Sequence, residues 1–184
     1  MQKNKKALLP VFFPGLVVVI CLLAKWAHAG STHSDLLFVL APVNFLVSIF
    51  TGSPSVFDSE IGYHHPSLHM IIDKSCAGIN FMIICFGSLF SLLYREQAPA
   101  FTNFKKLLLS VLLAYALTLL ANTSRIVVLI TSLRFSMAHS WIATDWFHQA
   151  MGAFIYLAAL LSACLIVHKT LQKVTNSHAQ SPQS

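Results

Sequence analysis

Four apolar runs, each long enough to cross a lipid bilayer, constrain this chain more than any other feature. They cover about residues 8–26, 76–93, 107–125 and 147–167. Runs of about 18 or more apolar residues are typical of transmembrane helices. The chain is also 56% hydrophobic and only 10% charged, a composition that excludes an ordinary soluble domain. Residues 1–184 therefore predict a single multi-pass membrane domain, an all-α integral membrane protein with a bundle of about four to five transmembrane helices.

The basic residues flank the apolar runs instead of forming a patch. The formal net charge is +6, and the lysines and arginines beside the runs include Lys3, Lys5, Lys6, Arg95, Lys105, Lys106, Lys169 and Lys173. Positive charges at the ends of transmembrane helices mark the cytoplasmic side, so this pattern predicts topology, and we expect no nucleic-acid partner. It assigns the N-terminal tail, the connector before Lys105 and the C-terminal segment to the cytoplasm. Residues 174–184 are polar and predict a disordered tail.

A fifth apolar run, at residues 36–50, is too short for a simple crossing. Its 15 residues extend about 23 Å as a helix, whereas the hydrocarbon core is about 30 Å thick. A full crossing would also move the start of the next run to the cytoplasmic side, against the charge pattern. The run therefore predicts a re-entrant or interfacial helix, with a short span as the alternative.

The longest polar segment, residues 51–75, precedes the second long run. Alternating apolar residues at Leu68, Met70 and Ile72 follow a His64-His65-Pro66-Ser67 stretch, a pattern typical of a short hairpin. We predict that this hairpin lies on the outer face of the membrane as a lid. Adjacent histidines point to opposite faces of a strand, so we expect polar lid residues here and no metal site.

Three residue types that bilayers usually exclude fall at one predicted depth. Cys76, Arg125 and His148 each lie 19 to 21 residues from the basic residue at the cytoplasmic end of their own run. As helices these distances are about 28 to 31 Å, one hydrocarbon thickness. The spacing predicts that a thiol, a guanidinium and an imidazole share a site near the outer rim of the membrane.

That combination of groups favours nucleophilic catalysis. A cysteine at a helix N-terminus benefits from the positive end of the helix dipole, and the free N–H groups there can bind an oxyanion. Gly78 leaves space for a substrate backbone, a nearby guanidinium favours the thiolate, and a histidine can accept or return the proton. The alternatives for Cys76, Arg125 and His148 are an incidental interfacial thiol, an arginine that extends to the headgroups and an interfacial histidine.

A different class of function is a small transporter or channel subunit in which Arg125 and His148 line a polar path. That function requires polar residues along the whole depth of the membrane. The interiors of residues 79–93 and 154–167 are almost wholly apolar, which favours the enzyme.

Three short motifs resemble the signatures of the exosortase/archaeosortase family. They are Ser75-Cys76-Ala77-Gly78-Ile79-Asn80-Phe81, Asn122-Thr123-Ser124-Arg125-Ile126 and His148-x-x-x-Gly152. The sequence around the cysteine is most similar to the compact exosortase K type. The similarity covers about residues 36–167. It implies a cytoplasmic (inner) membrane transpeptidase or endopeptidase whose site faces the extracytoplasmic side and acts through an acyl-thioester.

The resemblance also assigns roles and partners. It implies that Cys76 is the nucleophile, Arg125 the proton donor or electrophilic partner, and His148 the base or transition-state stabiliser. Gly78, Asn80, Asn122 and Gly152 belong to the same motifs and are expected to contact substrate. The implied partner is a membrane-anchored protein with a C-terminal sorting signal, a Pro-Glu-Pro-like motif followed by a transmembrane helix and a basic tail. We expect no cofactor and no metal, and the sequence specifies neither an oligomeric state nor the acceptor nucleophile.

Overall fold

The described part of the chain is built from long helices. The computed structural model describes residues 3–95, 99–136 and 145–179, and their side chains except at residues 3–11, 133–136, 145–148, 174–175 and 177–179. Within these ranges the α-helices are α1 (Lys3–Gly30), α2 (Leu37–Thr51), α3 (Ile79–Leu93), α4 (Ala100–Ser136) and α5 (Asp145–Ala179). Four segments, in α1, α3, α4 and α5, are long and apolar enough to cross a membrane. The predicted all-α integral membrane fold is thereby confirmed.

One apolar cluster joins the four long helices. Phe13 and Val17 of α1 contact buried residues of α3 and α4, among them Cys85, Leu89 and Ala114. Many side chains on the outward faces of these helices are large, apolar and exposed. In a membrane protein such faces meet lipid, so they carry no cost of exposure to water.

A second cluster surrounds α2 at one end of the bundle. Val39, Leu40 and Val43 of α2 are fully buried against residues of α3 and α4, including Ile79 and Ile126. The hydroxyl of Tyr115, in α4, donates a hydrogen bond of 2.6 Å to the carbonyl of Phe38. Helix α2 is therefore held by α3 and α4 through both packing and a hydrogen bond.

The segment that contains α2 begins and ends at the same end of the bundle. The ammonium of Lys74 donates to the carbonyl of Ser31 at 2.7 Å, although 43 residues separate them in sequence. It also approaches the carbonyl of Ala29 at 3.5 Å, so it satisfies acceptors at the C-terminus of α1. The chain thus returns to the end of α1 before α3 begins. The membrane placement of α2, re-entrant or interfacial, stays a prediction.

A small sheet follows α2. Its strands are β1 (Val56–Asp58), β2 (Gly62–His65) and β3 (Met70–Ile72), antiparallel in the order β1-β2-β3. The pairing of β2 with β3 contains the predicted hairpin, with Tyr63 opposite Ile72. The third strand, β1, was not predicted, because its residues show no apolar alternation long enough to identify a strand.

The prediction that His65 is a polar residue of a lid is wrong, because its side chain lies in the interior. Its side chain is 0% exposed and joins the sheet to α2 through hydrogen bonds. Its Nε2 lies 2.8 Å from Oδ1 of Asn44, and its Nδ1 lies 3.2 Å from Oγ of Ser53. Because the Asn44 amide donates through Nδ2 to Ser55 at 2.8 Å, the Nε2 of His65 is the donor to Oδ1.

We expect the sheet to loosen in acid. Burial lowers the pKa of His65, a hydrogen bond to the backbone of Ser53 opposes this, and the neighbouring His64 lowers the pKa further. A lowered pKa means that the unfolded chain binds the proton more readily, so the stabilisation is complete above the unfolded-state value of about 6.5 and declines as pH falls below it. Hydrogen exchange of the β2 and β3 amides, corrected for intrinsic rates, should speed up by at most about tenfold per pH unit in that window.

The matched control for this prediction is the neighbouring histidine. A His65→Gln variant should lose the acid-dependent increase in exchange, whereas His64→Gln should keep it. Equal exchange of the wild-type sheet at pH about 7.5 and about 5 would contradict the prediction.

Two helices are longer than the apolar runs. Helix α4 continues without a break through Arg125 to Ser136, although the polar stretch at residues 122–125 interrupts the apolar pattern. Helix α5 extends to Ala179, past the predicted end of the span at residue 167 and into the segment predicted as a disordered tail. Residues 180–184 lie outside the described part of the chain.

Candidate active site

Cys76 lies in a tight turn that precedes α3, not in the first turn of α3 as predicted. The turn is a single 3-10 turn over Lys74–Ala77, and α3 begins at Ile79. Asp73 caps the turn, because its Oδ1 accepts hydrogen bonds from the backbone N–H of Ser75 at 3.0 Å and from the Ser75 hydroxyl at 2.6 Å. The Cys76 side chain is partly exposed. It packs against the apolar cluster around α2, in a short turn that is held by its own hydrogen bonds.

Gly78 is the break between this turn and α3. Its φ is +65°, a left-handed conformation that costs other residues about 1–2 kcal/mol. A Cβ at this position would lie only 2.5 Å from Nδ2 of Asn122, in α4. The absence of a side chain thus serves the turn and its packing on α4. The predicted role of Gly78 in admitting a substrate backbone stays a prediction.

The N-terminus of α3 has donors without a partner among the described residues. No side chain caps it, and a hydrogen bond runs from the N–H of Met82 to the carbonyl of Gly78 at 3.0 Å. The N–H groups of Ile79, Asn80 and Phe81 therefore have no acceptor within the helix. Such a helix end favours a negative charge.

Arg125 reaches the same region from α4. Its side chain lines the same cavity as Ser75 and Gly78, which stand on either side of Cys76 in the sequence. Gly152, in α5, faces it, because a Cβ on Gly152 would lie 2.8 Å from Nε of Arg125. Helix α5 can approach the arginine closely only because a glycine stands there.

Tyr156 links Arg125 to Asn122. Nη1 of Arg125 lies 3.3 Å from the Tyr156 hydroxyl, which itself donates a short hydrogen bond to Oδ1 of Asn122. The Tyr156 ring stacks on Phe81, with centroids 4.6 Å apart. Asn122 is 1% exposed, and its Nδ2 has no hydrogen-bond partner within the described part of the chain. An unpaired buried donor beside Gly78 is costly unless something binds to it.

These elements enclose a cavity of about 450 Å³. Ser75 and Gly78, on either side of Cys76, contribute to its wall, together with His28, Lys74, Ile79, Asn80, Phe81, Ile84, Arg125 and Tyr156. Among the described residues none of the lining comes from the sheet, so the sheet does not cover this cavity. The cavity wall combines apolar side chains with cationic groups.

Asn80 connects the cavity to α1. Its Oδ1 accepts a hydrogen bond of 2.6 Å from the ammonium of Lys25, which is 55 residues earlier in the sequence. Together with the Lys74 bonds described above, this contact fixes the C-terminal end of α1 against the start of α3. Six of the seven predicted site residues, all but His148, are thus brought to one end of the bundle.

The seventh, His148, belongs to α5, but its side chain lies outside the described residues. Its backbone position is one helical turn before Gly152 and two before Tyr156, so the three positions share a face of α5. The role predicted for His148 stays a prediction.

Several residues of the cavity wall, among them Tyr156 and Lys74, were missed from the sequence. Tyr156 stands in an apolar run, where an aromatic residue is usually part of the core, and Lys74 is one of many basic residues at run ends. The spacing of His148, Gly152 and Tyr156 by four residues was the available signal for Tyr156. For metals, no group of three or more His, Cys, Asp or Glu side chains converges among the described residues.

Comparison with known proteins gives one result. The family model for the transmembrane exosortase (Exosortase_EpsH) matches residues 2–165. No curated protein and no solved structure matches the chain. The match covers most of the 184 residues, including the Cys76 turn, the polar stretch of α4 and the start of α5. The chain therefore belongs to the transmembrane exosortase family.

Proposed function

We propose that this exosortase is a membrane-embedded cysteine transpeptidase or endopeptidase. It cleaves the C-terminal sorting signals of exported, membrane-anchored proteins through an acyl-thioester on Cys76. The observation that carries the proposal is the position of Cys76 in a capped turn, beside a cavity whose wall includes Arg125 and the unpaired N-terminus of α3. Family membership supports the same class of chemistry.

The first half of the reaction forms the thioester. The Cys76 thiolate attacks the carbonyl carbon of the scissile peptide bond, and the carbonyl oxygen becomes an oxyanion. The first-turn N–H groups of α3 and the Arg125 guanidinium stabilise that charge. Preorganised donors of this kind contribute about 10²–10³-fold each in known enzymes.

The proton transfers belong to His148. It accepts the thiol proton of Cys76 and returns it to the amine that leaves when the C–N bond breaks. Arg125 remains a cation throughout, because a guanidinium does not deprotonate in proteins. Its role is therefore electrostatic stabilisation of the oxyanion and orientation of the carbonyl.

The second half of the reaction releases the product. A nucleophile, either water or an acceptor amine or hydroxyl, attacks the thioester carbonyl, the C–S bond breaks, and the Cys76 thiol is restored. Water gives hydrolysis and an acceptor gives transpeptidation. The atoms balance without a cofactor.

The bilayer positions the substrate. The transmembrane helix of the sorting signal packs beside the bundle, and its basic tail stays at the cytoplasmic side. The motif before that helix then reaches the extracytoplasmic end, where we propose that the cavity lies, in the cytoplasmic (inner) membrane. Such fixed depth supplies positioning that a soluble protease must obtain from a deep cleft.

The test is to trap the intermediate. The full chain is co-expressed with an exported reporter that ends in a Pro-Glu-Pro motif, a transmembrane helix and a basic tail. We expect a species in which the reporter fragment is attached to Cys76, sensitive to hydroxylamine and located by mass spectrometry. The adduct should be absent from a Cys76→Ser variant and present in a Cys21→Ser variant, since Cys21 is in α1. A processed reporter with the Cys76→Ser variant would overturn the proposal.

A further inference from the structure

The hydroxyl of Tyr156 is shared by two groups that approach the cavity from α4. It accepts from Nη1 of Arg125 and donates to Oδ1 of Asn122. Arg125 and Asn122 are three residues apart in one helix, so both project on the face that meets α5. One phenol oxygen therefore sets the positions of both side chains.

The direction of these bonds fixes how the Asn122 amide is oriented. The phenol has one hydrogen, and with Arg125 as an obligate donor that hydrogen goes to Oδ1 of Asn122. The amide lies flat against Gly78, where a Cβ would be 2.5 Å from Nδ2 and 2.7 Å from Oδ1. Nδ2, which has no hydrogen-bond partner among the described residues, therefore lies beside the turn that carries Cys76.

The Tyr156 ring is itself held in place. It stacks on Phe81 with an interplanar angle of 17°, and Phe81 is a buried residue in the first turn of α3. Arg125 also lies over the ring, with Cζ 5.7 Å from the centroid. A phenylalanine at this position would keep both ring contacts and lose only the shared oxygen.

We propose that Tyr156 is a positioning residue for the reaction. Its hydroxyl holds the Arg125 guanidinium in the cavity wall and keeps Nδ2 of Asn122 beside the Cys76 turn. The inference rests on the proposed function for its catalytic consequence, but the positions of the two groups can be measured without any substrate. A misplacement of about 1 Å in such a site lowers turnover by about 10²-fold.

The first measurement is kinetic. Tyr156→Phe should lower the turnover of the reporter by about 10- to 100-fold while its apparent KM stays unchanged, because the phenylalanine ring keeps its place in the cavity wall. The matched control is Tyr115→Phe. This variant removes a hydroxyl of the same helix bundle, one that donates a hydrogen bond to the backbone of Phe38. It should leave turnover unchanged.

The second measurement needs no turnover. Purified full-length protein is labelled with an anionic and a cationic methanethiosulfonate, and the rates at Cys76 are read by mass spectrometry. A guanidinium near the thiol attracts the anionic reagent and so raises its rate of reaction relative to the cationic reagent. Tyr156→Phe should lower the anionic-to-cationic rate ratio by at least about threefold, and Tyr115→Phe should not. Cys85, which is 0% exposed, must stay unlabelled in all proteins, which shows that each variant is folded.

The two measurements separate the two claims. If wild-type protein leaves every reporter uncut, the proposed function fails, and the labelling ratio still tests the position of Arg125. A Tyr156→Phe protein with the wild-type ratio overturns the positioning role. A lower ratio with wild-type turnover overturns it as well, because the displaced groups would then have no effect on the reaction.

Discussion

Reporter processing is expected to fall at least about 100-fold when Arg125 is replaced by leucine. Leucine removes the positive charge from the cavity wall and the donor to Tyr156, so the oxyanion loses a stabilising partner. Insertion should be unaffected, since leucine is cheaper than arginine inside a membrane. The measurement is the initial rate of reporter cleavage in isolated membranes, normalised to the amount of inserted protein.

A conservative pair of variants controls for this result. Arg125→Lys keeps the charge but lacks the planar fork that reaches Tyr156, so we expect a rate between those of wild type and Arg125→Leu. Arg95→Lys makes the same change at an exposed arginine just after α3 and should have no effect. If the Arg125→Leu variant processed the reporter at the wild-type rate, the guanidinium would have no role in the mechanism.

The second large effect is expected from Gly78→Ala. The new Cβ meets two obstacles, a φ of +65° and the amide of Asn122 at 2.5 Å. The conformation alone costs about 1–2 kcal/mol, and the clash requires movement of either Asn122 or the Cys76 turn. We expect a lower thermal midpoint in detergent and, because the thiol moves with the turn, at least about tenfold slower processing.

Two further variants separate these causes. Gly87→Ala lies in α3, the helix that follows Gly78, where a Cβ meets nothing within 4 Å, and it should leave stability and processing unchanged. Combining Gly78→Ala with Asn122→Ala removes the clash, so thermal stability should recover in part while the cost of the left-handed conformation remains. A Gly78→Ala protein with wild-type stability and wild-type rate would contradict the importance of this turn.

Helix rise and bilayer thickness are nearly constant, so counting residues from the cytoplasmic charges predicts a depth for each side chain. It predicts one level for Cys76 and Arg125, and the residues on either side of Cys76 line the same cavity as Arg125. Counting gives one coordinate only. Lateral packing between distant segments decides the rest. It brings Gly152 and Tyr156 of α5 against Arg125, and it joins α1 to Asn80 through Lys25.

The local errors have the same origin. The sequence around Cys76 favours a helix start, but Gly78, packed against Asn122 of α4, has a left-handed conformation that separates the Cys76 turn from α3. His64 and His65 were both predicted to be polar lid residues, and the sequence does not say which of them is buried. His65 is the buried one, because its imidazole donates a hydrogen bond to Oδ1 of Asn44 in α2. In each case a tertiary partner overrides a local pattern.

The connection between the sheet and the reactive turn has a consequence for inhibition. Strand β3 ends at Ile72, which is fully buried in the same cluster as Ala77, and Cys76 follows only four residues later. Under the proposed mechanism, a molecule that binds the sheet and tilts it would therefore move the Cys76 sulfur away from the carbonyl that it attacks. Such a molecule would inhibit the proposed reaction without binding in the cavity.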